Sequence, residues 1–290
     1  TPFADVGSVD LFAFRANLDA WLAHPIAGIV VAGSTGEAPL LDPAELFSLV
    51  EEARPRLEGR LLIVGTGAES TAATIAACHG AAERGADAVL VRAPAYYRPA
   101  MTPEALRAHF LAVADASPAP VLLYHIPRFV PVEVAPELAA RVLEHENVVG
   151  MKDSSGDLRN LGALAEACGD RGSVLVGSGA LLYPALEAGA VGGILGVALL
   201  ATRTACDLYE SWRAGDGARA GRLQERLGPL HKTVVGALGV PGVKAALDRL
   251  GLWGGRPRPP LQCLGAKGLG AVDEALIAAG LGARNEPAIP

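Results

Sequence analysis

Val148-Val149-Gly150-Met151-Lys152-Asp153-Ser154-Ser155-Gly156-Asp157 is an apolar run that stops on a lysine and then turns sharply polar. So short a run, bounded by polar residues, reads as a buried strand, and the helical spacing from Asp157 to Cys168 completes one strand-helix unit. Similar runs recur at Ile29 to Ala32, Leu61 to Val64, Ala88 to Val91, Val121 to Tyr124, Val174 to Val176 and Gly193 to Leu195. Amphipathic segments separate them, at Pro43 to Glu52, Thr71 to Arg84, Pro103 to Ala114 and Pro136 to Glu144, with proline or a polar cap near each start. This alternation predicts an α/β chain whose parallel sheet is covered on both faces.

Seven strands at regular spacing favour a (β/α)8 TIM barrel over an open sheet, because a barrel explains why polar motifs follow the runs instead of preceding them. Thr1-Pro2-Phe3 reads as the exit of a strand, so the eighth is expected just upstream of residue 1. The barrel is expected to occupy residues 1–214 as the catalytic domain. Residues 215–290 read as a helical C-terminal domain, with helices at Ala218 to Leu227, Leu230 to Leu238, Val243 to Leu250 and Ala271 to Ala279. Gly254 to Pro260 reads as a proline-stiffened loop, and Arg284 to Pro290 as a frayed end.

Composition narrows the function classes. With 290 residues, 51% of them hydrophobic, the chain can bury a large core. A net charge of -6 supplies no basic field for nucleic acid. Cys78, Cys168, Cys206 and Cys263 are scattered among small apolar residues with no CxxC pair, which argues against a zinc site and suits a reducing cytoplasm. No run is long and uncharged enough to span a membrane, and the first residues do not resemble a signal peptide. Gly177-Ser178-Gly179 lacks the third glycine of a dinucleotide fingerprint, and no GxxxxGK[ST] loop occurs, so neither a nicotinamide cofactor nor a nucleoside triphosphate is expected.

Only four of the 25 basic residues are lysines, so a lysine where arginine would serve as a surface cation poses a chemical question. Arginine stays protonated, whereas a desolvated lysine can lose its proton and attack a carbonyl. In a (β/α)8 barrel the residues that follow each strand converge on one mouth. They are Gly33-Ser34-Thr35-Gly36-Glu37, Tyr96-Tyr97, Tyr124, Lys152 with Ser154, and Gly177-Ser178. Gly33 to Glu37 reads either as a cradle for a small anion or as an ordinary turn capped by a hydroxyl. Tyr124 reads either as a space-filling phenol or as a proton relay beside Lys152. His125 and Asp153 alternate to the other face, His125 for packing and Asp153 too far round to hold the lysine charged.

Together with Tyr124-His125-Ile126-Pro127, Gly150-Met151-Lys152-Asp153-Ser154 and Gly189-Ala190-Val191-Gly192-Gly193-Ile194, these motifs resemble the dihydrodipicolinate synthase and N-acetylneuraminate lyase family from Thr1 to about Leu264. The resemblance implies a class I aldolase or lyase, usually a homotetramer built as a dimer of dimers, that binds pyruvate or another small 2-oxo acid without metal or organic cofactor. It implies Lys152 as the Schiff-base residue, Tyr124 as proton relay, Ser34 and Thr35 as carboxylate-binding hydroxyls, and Tyr96 as a residue reaching across a subunit interface, with Tyr97 as fallback. Gly33, Ser154, Gly177 and Ile194 would line the substrate pocket.

Where dihydrodipicolinate synthases carry an arginine two residues after the proline of Tyr-x-x-Pro, this chain has Phe129, and Arg128 one place earlier is expected to point elsewhere. Gly-Met-Lys-Asp-Ser and Tyr-Tyr-Arg look closest to the 4-hydroxy-2-oxoglutarate aldolases, which implies cleavage to pyruvate and glyoxylate. The alternative is 4-hydroxy-tetrahydrodipicolinate synthase, condensing pyruvate with aspartate semialdehyde. A non-catalytic barrel that binds a 2-oxo acid is the reading from a different class.

Overall fold

The computed structural model describes residues 1–282; the stretch Arg284 to Pro290 lies outside the described residues. Seven strands form a single sheet: β1 (Gly28–Val31), β2 (Leu61–Gly65), β3 (Ala88–Arg92), β4 (Val121–His125), β5 (Val148–Asp153), β6 (Ser173–Val176) and β7 (Gly192–Gly193). They are arranged in sequence order and every neighbouring pair is parallel. The sheet curls far enough for its two ends to meet. A Cβ built on Gly196, just past β7, would stand 3.0 Å from the Thr35 hydroxyl, just past β1. The architecture is the α/β barrel expected from the sequence, with a helical C-terminal extension. Ahead of β1, among the described residues, Phe3 and Val9 make an isolated antiparallel bridge.

The helices that cover the sheet are α1 (Leu11–Leu22), α2 (Pro43–Ala53), α3 (Thr71–Glu83), α4 (Pro103–Ala116), α5 (Pro136–Val142), α6 (Leu158–Cys168), α7 (Leu182–Glu187) and α8 (Thr202–Arg213). Local chemistry sets several starts. Asp42 and Glu45 form a reciprocal capping box ahead of α2, and Ser70, Thr102 and Asp157 accept backbone N–H groups at α3, α4 and α6. Leu49, Leu62, Val89, Phe110, Leu123, Met151 and Leu164, all fully buried, belong to the one large core that joins strands and helices.

One irregularity positions the chemistry. Val121 pairs with Val148 but Leu122 pairs with Gly150, so Val149 bulges out of β5 and is exposed. A Cβ on Gly150 would run into the Ser173 carbonyl of β6, so the strands close up here only around glycine. Beyond the bulge Tyr124 lies opposite Lys152, and His125 opposite Asp153.

After α8 the chain continues through α9 (Gly217–Leu230), a π-helix (His231–Ala237), α10 (Gly239–Arg249) and α11 (Ala266–Ala278). The segment Leu230 to Leu238, expected as an ordinary helix, is therefore mostly wider-wound, with the Leu238 N–H donating to the Thr233 carbonyl five residues back at 3.0 Å. Pro229 supplies a reason: lacking an N–H, it cannot make the regular bond to Glu225 just before the winding changes.

Candidate active site

β5 ends by carrying Lys152 into the barrel, where its ammonium lies 4.3 Å above the Tyr124 ring of the neighbouring strand. Both are buried, at 7% and 6% exposure, though each has a polar tip. The Tyr124 hydroxyl lies 3.3 Å from Ser34 Oγ. Residues from the exits of β1, β4 and β5 thus meet at one mouth. Asp153, one residue on, faces away, and its carboxylate meets His125 Nδ1 and Ser155 Oγ at 2.7 Å each. Its charge is engaged on the outer face of the sheet and makes no ion pair with Lys152.

The turn after β1 is 3-10 from Ser34 to Gly36, and Glu37 follows in a left-handed conformation (φ 62°). A non-glycine residue holds that conformation only when its surroundings over-determine it. Glu37 is buried, its Oε1 2.9 Å from Lys244 Nζ of α10 and its Oε2 accepting the Arg258 N–H at 2.9 Å. Lys244 also donates to the Thr1 and Arg256 carbonyls at 2.7 and 3.1 Å. Burial lowers the Lys244 pKa, and Glu37 opposes that shift. The turn that carries Ser34 and Thr35 is therefore tied to the C-terminal helices by a buried ion pair.

Gly177, at the exit of β6, is the thin wall behind Lys152. A Cβ there would collide with Ser154 Oγ and stand 3.1 Å from Lys152 Cε. Ser154 is itself held by its N–H, which donates to the His125 carbonyl at 2.8 Å. Half-buried Ile194 donates its N–H to the Val176 carbonyl at 2.9 Å and continues the ladder past β7. Gly33 leads into the Ser34 turn from β1. Tyr96 stands apart from this cluster within one chain. It is 80% exposed and packs edge-on against Tyr97 at 5.1 Å. Its loop is pinned by Glu69, whose Oε2 accepts the Ala95 and Tyr96 N–H groups at 2.8 Å each while Oε1 meets Arg92 at 2.8 Å. Burial alone would raise the Glu69 pKa, but these bonds hold it below the ordinary carboxylate value.

Two features escape a reading of the sequence. Lys244 sits far down the chain in an unremarkable Gly-Val-Lys-Ala context, and only the fold brings it to Glu37. His231 opens the π-helix and contacts both Ser178 and Gly179. The same helix places Val235 against Gly196 beside Thr35, and its Gly236 carbonyl accepts a hydrogen bond from Arg128. The sequence signal that could have flagged this segment is Pro229 inside a helical pattern.

The Dihydrodipicolinate synthetase family model matches residues 1–279. The chain is 38% identical over 264 residues to the 4-hydroxy-tetrahydrodipicolinate synthase of Synechococcus sp. (strain CC9605), covering 90% of this chain and 86% of that protein. The structure of the 4-hydroxy-tetrahydrodipicolinate synthase from Methylacidiphilum fumariolicum SolV superposes with a TM-score of 0.90 at 33% identity, covering 96% and 93% of the two chains. The dihydrodipicolinate synthase from Acinetobacter baumannii complexed with pyruvate gives 0.91 at 31% identity, covering 97% and 96%.

Proposed function

The chain belongs to the dihydrodipicolinate synthetase family, and on that premise we propose that this lyase works by forming a Schiff base between Lys152 and the keto carbon of pyruvate. One observation carries the reading: a buried lysine at a strand end, 4.3 Å over a buried tyrosine ring whose hydroxyl is 3.3 Å from a serine hydroxyl. The neutral amine of Lys152 adds to pyruvate C2, and Tyr124 protonates the former keto oxygen so that it leaves as water. The iminium draws electrons from the neighbouring carbon, which loses a proton to give an enamine. The enamine attacks the aldehyde carbon, and the new alkoxide takes a proton back through Tyr124. Ser34 joins this relay, and with Thr35 it holds the pyruvate carboxylate on the turn after β1. Residues 1–214 are read as the catalytic barrel and the segment from 215 as the helical part that closes over its mouth.

For the aldehyde we favour aspartate semialdehyde, which reverses the preference drawn from the sequence motifs. The support is that relatives 34 to 38% identical over about nine-tenths of the chain carry the name 4-hydroxy-tetrahydrodipicolinate synthase. The hydroxyoxoglutarate reading keeps one local observation in its favour: Phe129, 57% exposed, stands at the position where the family resemblance implies an arginine in dihydrodipicolinate synthases. Membership of a family of lyases removes the non-catalytic barrel from consideration. Borohydride reduction with saturating pyruvate should leave an adduct on Lys152, and an unmodified lysine sinks the mechanism. Side-by-side assays of condensation with aspartate semialdehyde and cleavage of 4-hydroxy-2-oxoglutarate choose the aldehyde, a more than tenfold preference deciding it.

A further inference from the structure

The segment Ser34 to Gly36 is a single 3-10 turn. Its own bonds are few: the Gly36 N–H donates to the Gly33 carbonyl at 2.9 Å, and the Glu37 N–H to the Ser34 carbonyl at 3.2 Å. One isolated turn fixes several dihedrals for little hydrogen bonding and does not hold itself in place. Glu37, which closes it, sits in the left-handed region that side chains rarely adopt, so its conformation is imposed by its surroundings. Whatever grips Glu37 therefore also holds Ser34 and Thr35 at the mouth.

The C-terminal segment supplies that grip. The Glu37 side chain is 0% exposed and that of Lys244 5%, and the ammonium has three partners, Glu37 Oε1 and the Thr1 and Arg256 carbonyls, as many as it has hydrogens. Lys244 is thereby confined to one orientation. Arg258 adds its backbone N–H to Glu37 Oε2, and its guanidinium meets the Leu40 carbonyl and the Glu45 carboxylate at 2.6 Å. Leu40 ends the next 3-10 turn, Ala38–Leu40, so the chain beyond Glu37 is fastened as well.

Lys152 and Tyr124 are supported differently. They lie opposite each other in the β4–β5 ladder, which β3 and β6 flank. The amine and the phenol thus belong to the sheet, whereas the Ser34 and Thr35 hydroxyls belong to a turn fastened to α10. The two parts meet where Ser34 Oγ stands 3.3 Å from the Tyr124 hydroxyl.

We infer that Glu37 and Lys244 are positioning residues for pyruvate: their buried ion pair sets the place of the Ser34 and Thr35 hydroxyls, and with it the affinity for the substrate carboxylate, while leaving the amine of Lys152 as it is. This rests on the Schiff-base reading of Lys152 and on the turn after β1 as the carboxylate site. Its failure is separable from theirs, because those readings concern whether pyruvate is bound and trapped by the wild type, and the inference concerns what fixes the strength of binding.

Borohydride trapping of the full chain over a range of pyruvate concentrations gives two readouts: a half-saturating concentration, which reports the carboxylate site, and a rate at saturation, which reports the Lys152 amine. Two variants loosen the grip in different ways. Glu37→Asp keeps the charge but withdraws the carboxylate by one methylene. Glu37→Gln with Lys244→Met removes both charges, so no buried ion is left unpaired and the urea midpoint returns towards wild type. Both should raise the half-saturating pyruvate concentration about tenfold, the scale of one hydrogen bond to a charged group, with the saturating rate within about twofold of wild type. Recovery of pyruvate affinity along with the urea midpoint in the double variant would make the pair a contributor to stability alone and overturn the inference. So would an unchanged half-saturating concentration in both variants, or a saturating rate that falls in step with affinity. Thr35→Val keeps the shape of that side chain without its hydroxyl; if it leaves the half-saturating concentration unchanged, the turn is not the carboxylate site and the inference falls with it. Absence of trapping in the wild type would remove the Schiff-base reading instead.

Discussion

Tyr124, buried, and His231, half-buried, show how differently two polar side chains act. The Tyr124 hydroxyl bonds only to Ser34 among the described residues, at 3.3 Å, so the phenol can exchange that partner for a substrate oxygen. Tyr124→Phe is expected to leave the fold intact and to lower kcat by about 10²- to 10⁴-fold, the usual range for a general acid-base group, measured in the coupled condensation assay. His231 contributes to stability with a definite sign. Its folded pKa of about 4 lies below the ordinary 6.5, so only the unfolded chain gains a proton as pH falls through that window. Stability linked to His231 is therefore complete above about pH 6.5 and lost progressively towards pH 4, by on the order of 2–3 kcal/mol. Urea titrations at pH 7 and pH 4.5 should show wild type losing more stability between them than His231→Gln, and parallel losses would contradict the assignment. Lys152 was legible in the sequence because the chain spends so few lysines, and Tyr124 because it closes an apolar run. His231 was not, since an isolated histidine in a helical pattern carries no sign of the wall it will meet.

Among the elements, the strands were the most legible, each being a short apolar run with a polar exit, and all seven were found within about two residues of their ends. Helix α8 was missed because its inward face is Thr202, Ala205, Leu208 and Ser211, too polar and small to read as a hydrophobic stripe. Helix α1 carried a clear signal, an Asp10 cap ahead of buried Phe14 and Leu18, but lay before the first recognised run. The union of α10 with the turn after β1 could not be read at all, because Glu37 and Lys244 are brought together only by closure of the whole chain. Breaking that union has a calculable effect. Lys244→Met leaves the Glu37 carboxylate buried without its cation and should cost about 3–5 kcal/mol, seen as a lower urea midpoint. The double variant Glu37→Gln with Lys244→Met should regain part of the loss. If the single variant is as stable as wild type, the pair is not what holds the turn.

For the whole molecule, the exposed Tyr96 and Tyr97 mark a surface that a single chain leaves uncovered. We expect sedimentation to give a species about four times the 29.7 kDa chain, with Tyr96→Ala lowering activity. A fully active monomer would remove Tyr96 from the site. The bulge at Val149 carries a different consequence for the molecule as a whole. Side chains along a strand alternate between two faces, so what the pocket receives from β5 depends on whether the count of residues is odd or even. Deleting Val149 would remove only the unpaired residue and leave Tyr124 opposite Lys152, whereas one residue inserted after Gly150 would bring Met151 opposite Tyr124 and set Lys152 opposite His125, on the face towards the helices. Val149→Thr, by contrast, changes only an exposed side chain. A library of substitutions and deletions at position 149 would therefore report it as dispensable, while a single codon inserted after Gly150 would silence the enzyme with Lys152 still present.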